Sequence, residues 1–130
     1  MKLTFWLKFS VLNLFIVALL GVLMRYKIAF SLPWLDQKHL QEAHSHFAFY
    51  GWITTVIYVL IGRYLQRFLP NISIKKYETL VIANLAASFG MLAAFIYGGY
   101  FWLSVAFSTL ALLTSFAFFF FLMKDLKDVR

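Results

Sequence analysis

Four long apolar runs, few charges within them, and turn-forming residues between them predict an all-α integral membrane protein with four transmembrane helices. The 130-residue chain is 63% hydrophobic and only 13% charged, which is too little polar surface for a soluble domain of this length. Each run approaches the roughly 20 apolar residues that span the hydrocarbon core of a bilayer. Lipid offers the backbone no hydrogen-bond partner, so each span closes its bonds internally as a helix.

The first span runs from about Phe5 to Met24 and ends at Arg25 and Lys27. Its start, "MKLTFWLKFSVLNLFIVALLGVLM", has the charged opening of a signal peptide. The apolar core is long, however, and "GVLMRYK" lacks a small-x-small cleavage pattern, so it reads as an uncleaved span. In the connector "YKIAFSLPWLDQKHLQE", Pro33 and Asp36 mark a loop leading into a short helical approach, and His39 reads as a solvated loop residue. The second span covers about Ala43 to Leu65. Pro70 and Asn71 break the chain before "SIKKYET", which caps a third span from about Tyr77 to Tyr97. Gly98 and Gly99 supply the turn into a fourth span, about Phe101 to Met123, followed by the charged tail "KDLKDVR". Residues 1–130 read as one domain.

In the third span Ala86, Gly90, Ala94 and Gly98 recur every four residues, a small-residue stripe that permits close helix contact. Asn13 and Asn84 are expected to hydrogen-bond between helices, each contributing about 1 kcal/mol. The fourth span faces lipid and its neighbour, its serines and threonines bonding back to their own turn.

The formal net charge of +7 does not point to nucleic acid, because the cations lie at the ends of apolar runs and orient the chain. With four spans, the N-terminus, the loop after the second span and the C-terminus share one side. They carry Lys2, Lys8, Arg63, Arg67, Lys75, Lys76, Lys124, Lys127 and Arg130, against Arg25, Lys27 and Lys38 opposite. This distribution predicts that both termini are cytoplasmic, in a multi-pass protein of the bacterial inner (cytoplasmic) membrane, with the start of the second span facing outward. The chain has no cysteine, which excludes disulfides, thiolate metal sites and c-type haem attachment. No carboxylate pair, phosphate loop or nucleophile–base set supports a hydrolase.

The residues that invite chemistry are in "EAHSHFAFYGW", residues 42–52. On a regular helix, residues two apart point to nearly opposite sides, so His44 and His46 address two different partners rather than one metal. His39 and His46 share a face but are separated by about 10 Å of rise. Inward from His44 come Ala48, Gly51 and Thr55, a nearly flat face that could admit a porphyrin standing on the histidine. Inward from His46 come Phe49, Tyr50 and Ile53, a bulkier wall. Glu42, one turn outward, is placed for its carboxylate to accept the second ring N–H of His46. Against this stand two structural readings: histidines as interfacial anchors, and Ala48 and Gly51 as helix-packing residues.

The stretch "GVLMRYKIAFSLPWLDQKHLQEAHSHFAFYGW" resembles the first-helix end, outer connector and second-helix start of the catalytic subunit of haem-copper oxidases and nitric oxide reductases. In that family an arginine follows the first helix, and a histidine early in the second binds the low-spin haem; His44 falls at the matching position. "HSHF" also resembles the family's later His-x-His-aromatic element, whose two histidines bind two different haems. The family's subunit has twelve helices in three four-helix arcs, and this chain has one arc's worth. It lacks the additional histidines that hold the family's copper and the cross-linked tyrosine segment, so oxygen reduction is not implied. The resemblance implies instead a b-type haem whose iron takes His44 from one protomer and His46 from the next, in a homo-oligomer with a trimer favoured. Two imidazole ligands favour electron transfer or haem handling over oxygen activation. Two further readings remain open: a cofactor-free accessory or assembly subunit of a respiratory complex, and an outer-face copper site using the histidines with Met24 or Met91.

Overall fold

The structure, a computed structural model, describes residues 1–128. In it the apolar runs become four helices that outlast the runs themselves. Helix α1 spans Leu3–Ala29, α2 spans Gln37–Phe68, α3 spans Ile74–Gly98 and α4 spans Trp102–Asp128. Each is long and apolar enough to cross a membrane. They exceed the hydropathic spans because hydropathy marks only the part suited to lipid. Main-chain hydrogen bonding continues through the charged ends. Thus α1 passes Arg25 and Lys27, and α2 starts at Gln37, where Asp36 Oδ1 accepts the His39 N–H at 3.0 Å. The expected helical approach is therefore the first part of α2 itself, and His39 is a half-buried helical residue rather than a solvated loop residue.

Helix α2 is not regular. Two α-helical parts, Gln37–His46 and Thr55–Phe68, flank a π-helical segment over Phe47–Thr54. A π turn is wider than an α turn and displaces its carbonyls from their usual partners. Neighbouring helices take up those carbonyls: Asn13 Nδ2 of α1 donates to Gly51 O at 2.5 Å, and Asn84 Nδ2 of α3 donates to Tyr50 O at 2.8 Å. The expected interhelical asparagines are thus both present, aimed at one short stretch of backbone.

Each helix packs chiefly on its neighbours in the chain, α1 on α2, α2 on α3 and α3 on α4. Helix α1 buries Trp6, Ser10, Asn13, Val17 and Leu20, alternating three- and four-residue steps that keep one stripe inward. At one end of the bundle a core of Trp6, Tyr58, Val59, Leu65, Tyr77, Val81, Leu85 and Phe118 draws on all four helices. Here Tyr58 stacks on Phe118 at 3.9 Å, and Trp6 Nε1 donates to Glu78 at 2.9 Å. Both Lys76 and the Tyr77 hydroxyl donate to Asp125 at 2.6 Å, pinning the last turns of α4 to the start of α3. Met1 lies against Gly62 at this same end. The first and the last described residues are therefore together, and the histidines are at the opposite end.

The small-residue stripe of α3 serves its purpose only in part. The Phe107 ring of α4 lies over Gly90, and Ala94 is buried, but Ala86 is exposed and its neighbour Ala87 is buried instead. Steps of four residues overshoot an α turn by about 40° each, so such a stripe winds away from its partner. On α4, Ser108, Thr109, Thr114 and Ser115 bond back to carbonyls four residues earlier, as expected. Outward-facing residues such as Val11, Phe15, Phe116, Phe119 and Phe120 leave an apolar surface of the kind a bilayer covers.

Candidate functional site at the histidine end of the second helix

Because Gln37–His46 is regular α-helix, His44 and His46 diverge. His44 turns to α1, where its Nδ1 lies 3.1 Å from Val17 O and its ring rests against Gly21. His46 turns to α3 and the turn that follows it. Its Nδ1 lies 2.9 Å from Glu42 O, its ring stacks on Phe95 with centroids 4.3 Å apart, and its Nε2 lies 3.3 Å from the Tyr100 hydroxyl. A carbonyl oxygen only accepts, so in each neutral ring Nδ1 carries the proton and Nε2 carries the lone pair. The Tyr100 O–H accordingly donates to His46 Nε2. Both rings are oriented by main chain, and both keep the lone pair on Nε2.

Glu42 does satisfy the second ring N–H of His46, but through its backbone carbonyl rather than its carboxylate. The carboxylate points instead towards Gly99, and its Oε2 is buried without a hydrogen-bond partner among the described residues. The His39 ring packs on the same glycine. The carbonyl four residues earlier is fixed one turn away from His46, whereas the Glu42 carboxylate would have to be ordered to reach the same ring.

The face below His44 is occupied by protein. Gly51 is buried, the Phe47 ring lies within 2.6–2.9 Å of where a Cβ would stand, and Asn13 caps its carbonyl. Ala48 is half-buried on the same helix. The expected flat wall is thus a packing surface for α1 and for Phe47. The π segment also breaks the α spacing on which that wall was drawn. Open space lies instead on the His46 side, where a groove of about 570 Å³ runs between α2 and α4. Ser45, His46, Phe49, Tyr50, Leu112 and Ser115 line it.

Phe95, Tyr100, Val17 and Gly21 are the site residues that sequence reasoning missed. Tyr100 had a signal: with four antiparallel spans, the glycine turn falls at the same end as the start of α2. The Val17 carbonyl and the Phe95 stack had none, since neither depends on an unusual residue type. Among the described residues no three histidine, aspartate or glutamate side chains converge as a metal centre. Outside the spans, the His39 N–H holds the Asp36 carboxyl below the usual carboxylate range. Comparison with models of protein families, with curated proteins and with solved structures finds no match to this chain.

Proposed function

We propose that the chain is a membrane-bound b-type haem protein, akin to one four-helix arc of a haem-copper oxidase catalytic subunit, serving electron transfer or haem handling. The observation that carries the reading is the shared state of the two imidazoles. Each commits Nδ1 to a main-chain carbonyl and leaves the lone pair on Nε2, as ligating histidines require, although in His46 that lone pair accepts the Tyr100 O–H. Their divergence supports two irons, each completed by a histidine from a neighbouring protomer in a trimer. The α2–α4 groove fits the edge of a large planar ring beneath His46. To ligate there, His46 exchanges the 3.3 Å contact from Tyr100 for the iron, and Tyr100 is exposed enough to swing aside. A haem so held supplies single-electron transfer. Val17 and Glu42 keep the rings oriented, while Phe95 fixes the plane of His46.

The setting proposed is the bacterial cytoplasmic membrane, with both termini inside and the histidines near the outer surface, where respiratory-chain components are the partners. Gathering of the chain ends at one end of the bundle, and the excess of lysine and arginine there, support this orientation. Arg130, counted in that excess, lies outside the described residues.

The test is spectroscopic. Protein purified in mild detergent, with haem added, should show a Soret band and a reduced-minus-oxidised α-band. His44→Ala and His46→Ala, made singly, should each abolish or shift the α-band. Absence of a Soret band even after haem titration, or spectra of both variants unchanged from the native chain's, overturns the proposal and favours a cofactor-free accessory subunit.

A further inference from the structure

The structure assigns Asn13 and Asn84 a role that reaches beyond joining helices. We infer that together they hold the Phe47–Thr54 segment in its π register, and that this register sets the direction of every side chain on the outer part of α2. This inference rests on the form of α2 and the hydrogen bonds made to it, and stands whether or not the histidines bind haem.

Tyr50 and Gly51 are consecutive residues in the middle of the π segment. Their carbonyls are taken from opposite sides, Gly51 O by Asn13 of α1 and Tyr50 O by Asn84 of α3. Asn84 Nδ2 also reaches the Thr55 hydroxyl at 3.1 Å, and that hydroxyl donates to Tyr50 O at 3.2 Å. The clamp therefore closes at Thr55, where α-helix resumes. Both asparagines are fully buried, and in both Oδ1 has no partner among the described residues. A carboxamide kept in a bundle core with half its capacity unused is there for the bonds it does make. Those bonds go to carbonyls whose usual i→i+4 partners the π register displaces, so their gain is greatest while the segment stays wide.

A π segment accommodates one residue more than the α-helix that would join the same two ends. Without the clamp α2 relaxes to α-helix at unchanged length, and everything before Phe47 turns by about 100° relative to Thr55–Phe68. His46 would then leave Phe95 and Tyr100, and His44 would leave Val17. Asn13 and Asn84 are thus positioning residues for the outer end, although they lie below it.

The chain has no cysteine of its own, which makes a direct test possible. Cysteines placed by His46→Cys and Tyr100→Cys report the rotation through a short bifunctional thiol reagent, in full-length protein reconstituted in lipid. The otherwise native chain should cross-link. The Asn13→Leu/Asn84→Leu variant should lose about tenfold in yield, because a rotation of about 100° carries position 46 away from position 100. Deleting Phe49, an exposed residue within the π segment, from that variant should restore the cross-link, since α-helix then joins the same ends. A yield unchanged by the asparagine substitutions overturns the inference, as does a loss that the deletion does not repair. Where the substituted chain fails to fold, the deletion must return both fold and cross-link; failure to do so equally overturns it.

Discussion

At Gly51 a single added methyl has nowhere to go. The Phe47 ring, itself fully buried, lies 2.6 Å from the position of a Cβ, and the ring is held in turn by an edge-on contact with Phe89 at 5.1 Å. Gly51→Ala should therefore cost about 1–3 kcal/mol, the usual range for overpacking a core, read as a lowered midpoint of thermal unfolding in detergent. Adding Phe47→Leu should recover part of that loss, and simple additivity of the two changes would show that they do not share this space. Asp36 provides a residue-scale prediction about pH. Its carboxyl is held below the usual range chiefly by the His39 N–H. A group whose folded value is depressed contributes above its unfolded value, near 3.9, and ceases to contribute as pH falls through the lower folded value. The His39 amide resonance should accordingly move in a titration centred below about 3.9, and Asp36→Ala should abolish that movement. An amide shift that is flat with pH in the native chain would remove Asp36 from the role of cap.

Turns and registers decide what each helix can present. Gly99 ends α3 with φ +63° and ψ −137°, a backbone region essentially closed to residues with a Cβ, and the His39 ring occupies the space such an atom would need. Gly99→Ala should lower stability by about 1–3 kcal/mol through backbone strain. Combining it with His39→Ala should relieve the steric part only, leaving a residual loss in unfolding measurements. Full recovery in the double variant would mean that the dihedral is not the constraint. Gly99 was legible as a turn from the sequence because only glycine tolerates such a backbone within an apolar run, whereas Gly98, expected to share the turn, is the last helical residue. The divergence of His44 and His46 was legible for a similar reason, since it depends on local helical periodicity alone. The π segment was not: "FAFYGWIT" has the composition of any apolar helix, and its wide register comes from Asn13 and Asn84, 34 to 38 residues away. Once that register is present, the face drawn through Ala48, Gly51 and Thr55 at α spacing loses its meaning below Phe47. The groove lies beside His46 and not beside His44 because α1 covers the His44 side, while α2 and α4 are not closely packed on each other.

At the scale of the whole molecule, the number and order of the helices followed from hydropathy and glycine placement, whereas their packing depended on which residues met across them. The asymmetry of charge is the feature that fixes how such a bundle lies in a membrane. The end holding Met1, Gly62, Lys76 and Asp125 also carries the connector with Asn71, while the opposite end carries the connector with Trp34. Translocating lysine and arginine near a span end is unfavourable, so the cation-rich end is expected on the cytoplasmic side. Eight of its nine cations lie among the described residues, against three at the other end, so the expectation does not depend on Arg130. Trp34 is exposed in the first connector and Asn71 is exposed in the second, and each can be replaced singly by cysteine in a chain that has none. In intact spheroplasts, a membrane-impermeant maleimide should label Trp34→Cys and leave Asn71→Cys unlabelled until the membrane is permeabilised. The reverse pattern would put the histidines on the cytoplasmic side, and equal labelling of both would indicate dual insertion. Either outcome would move any haem held by His44 and His46 away from partners at the outer surface.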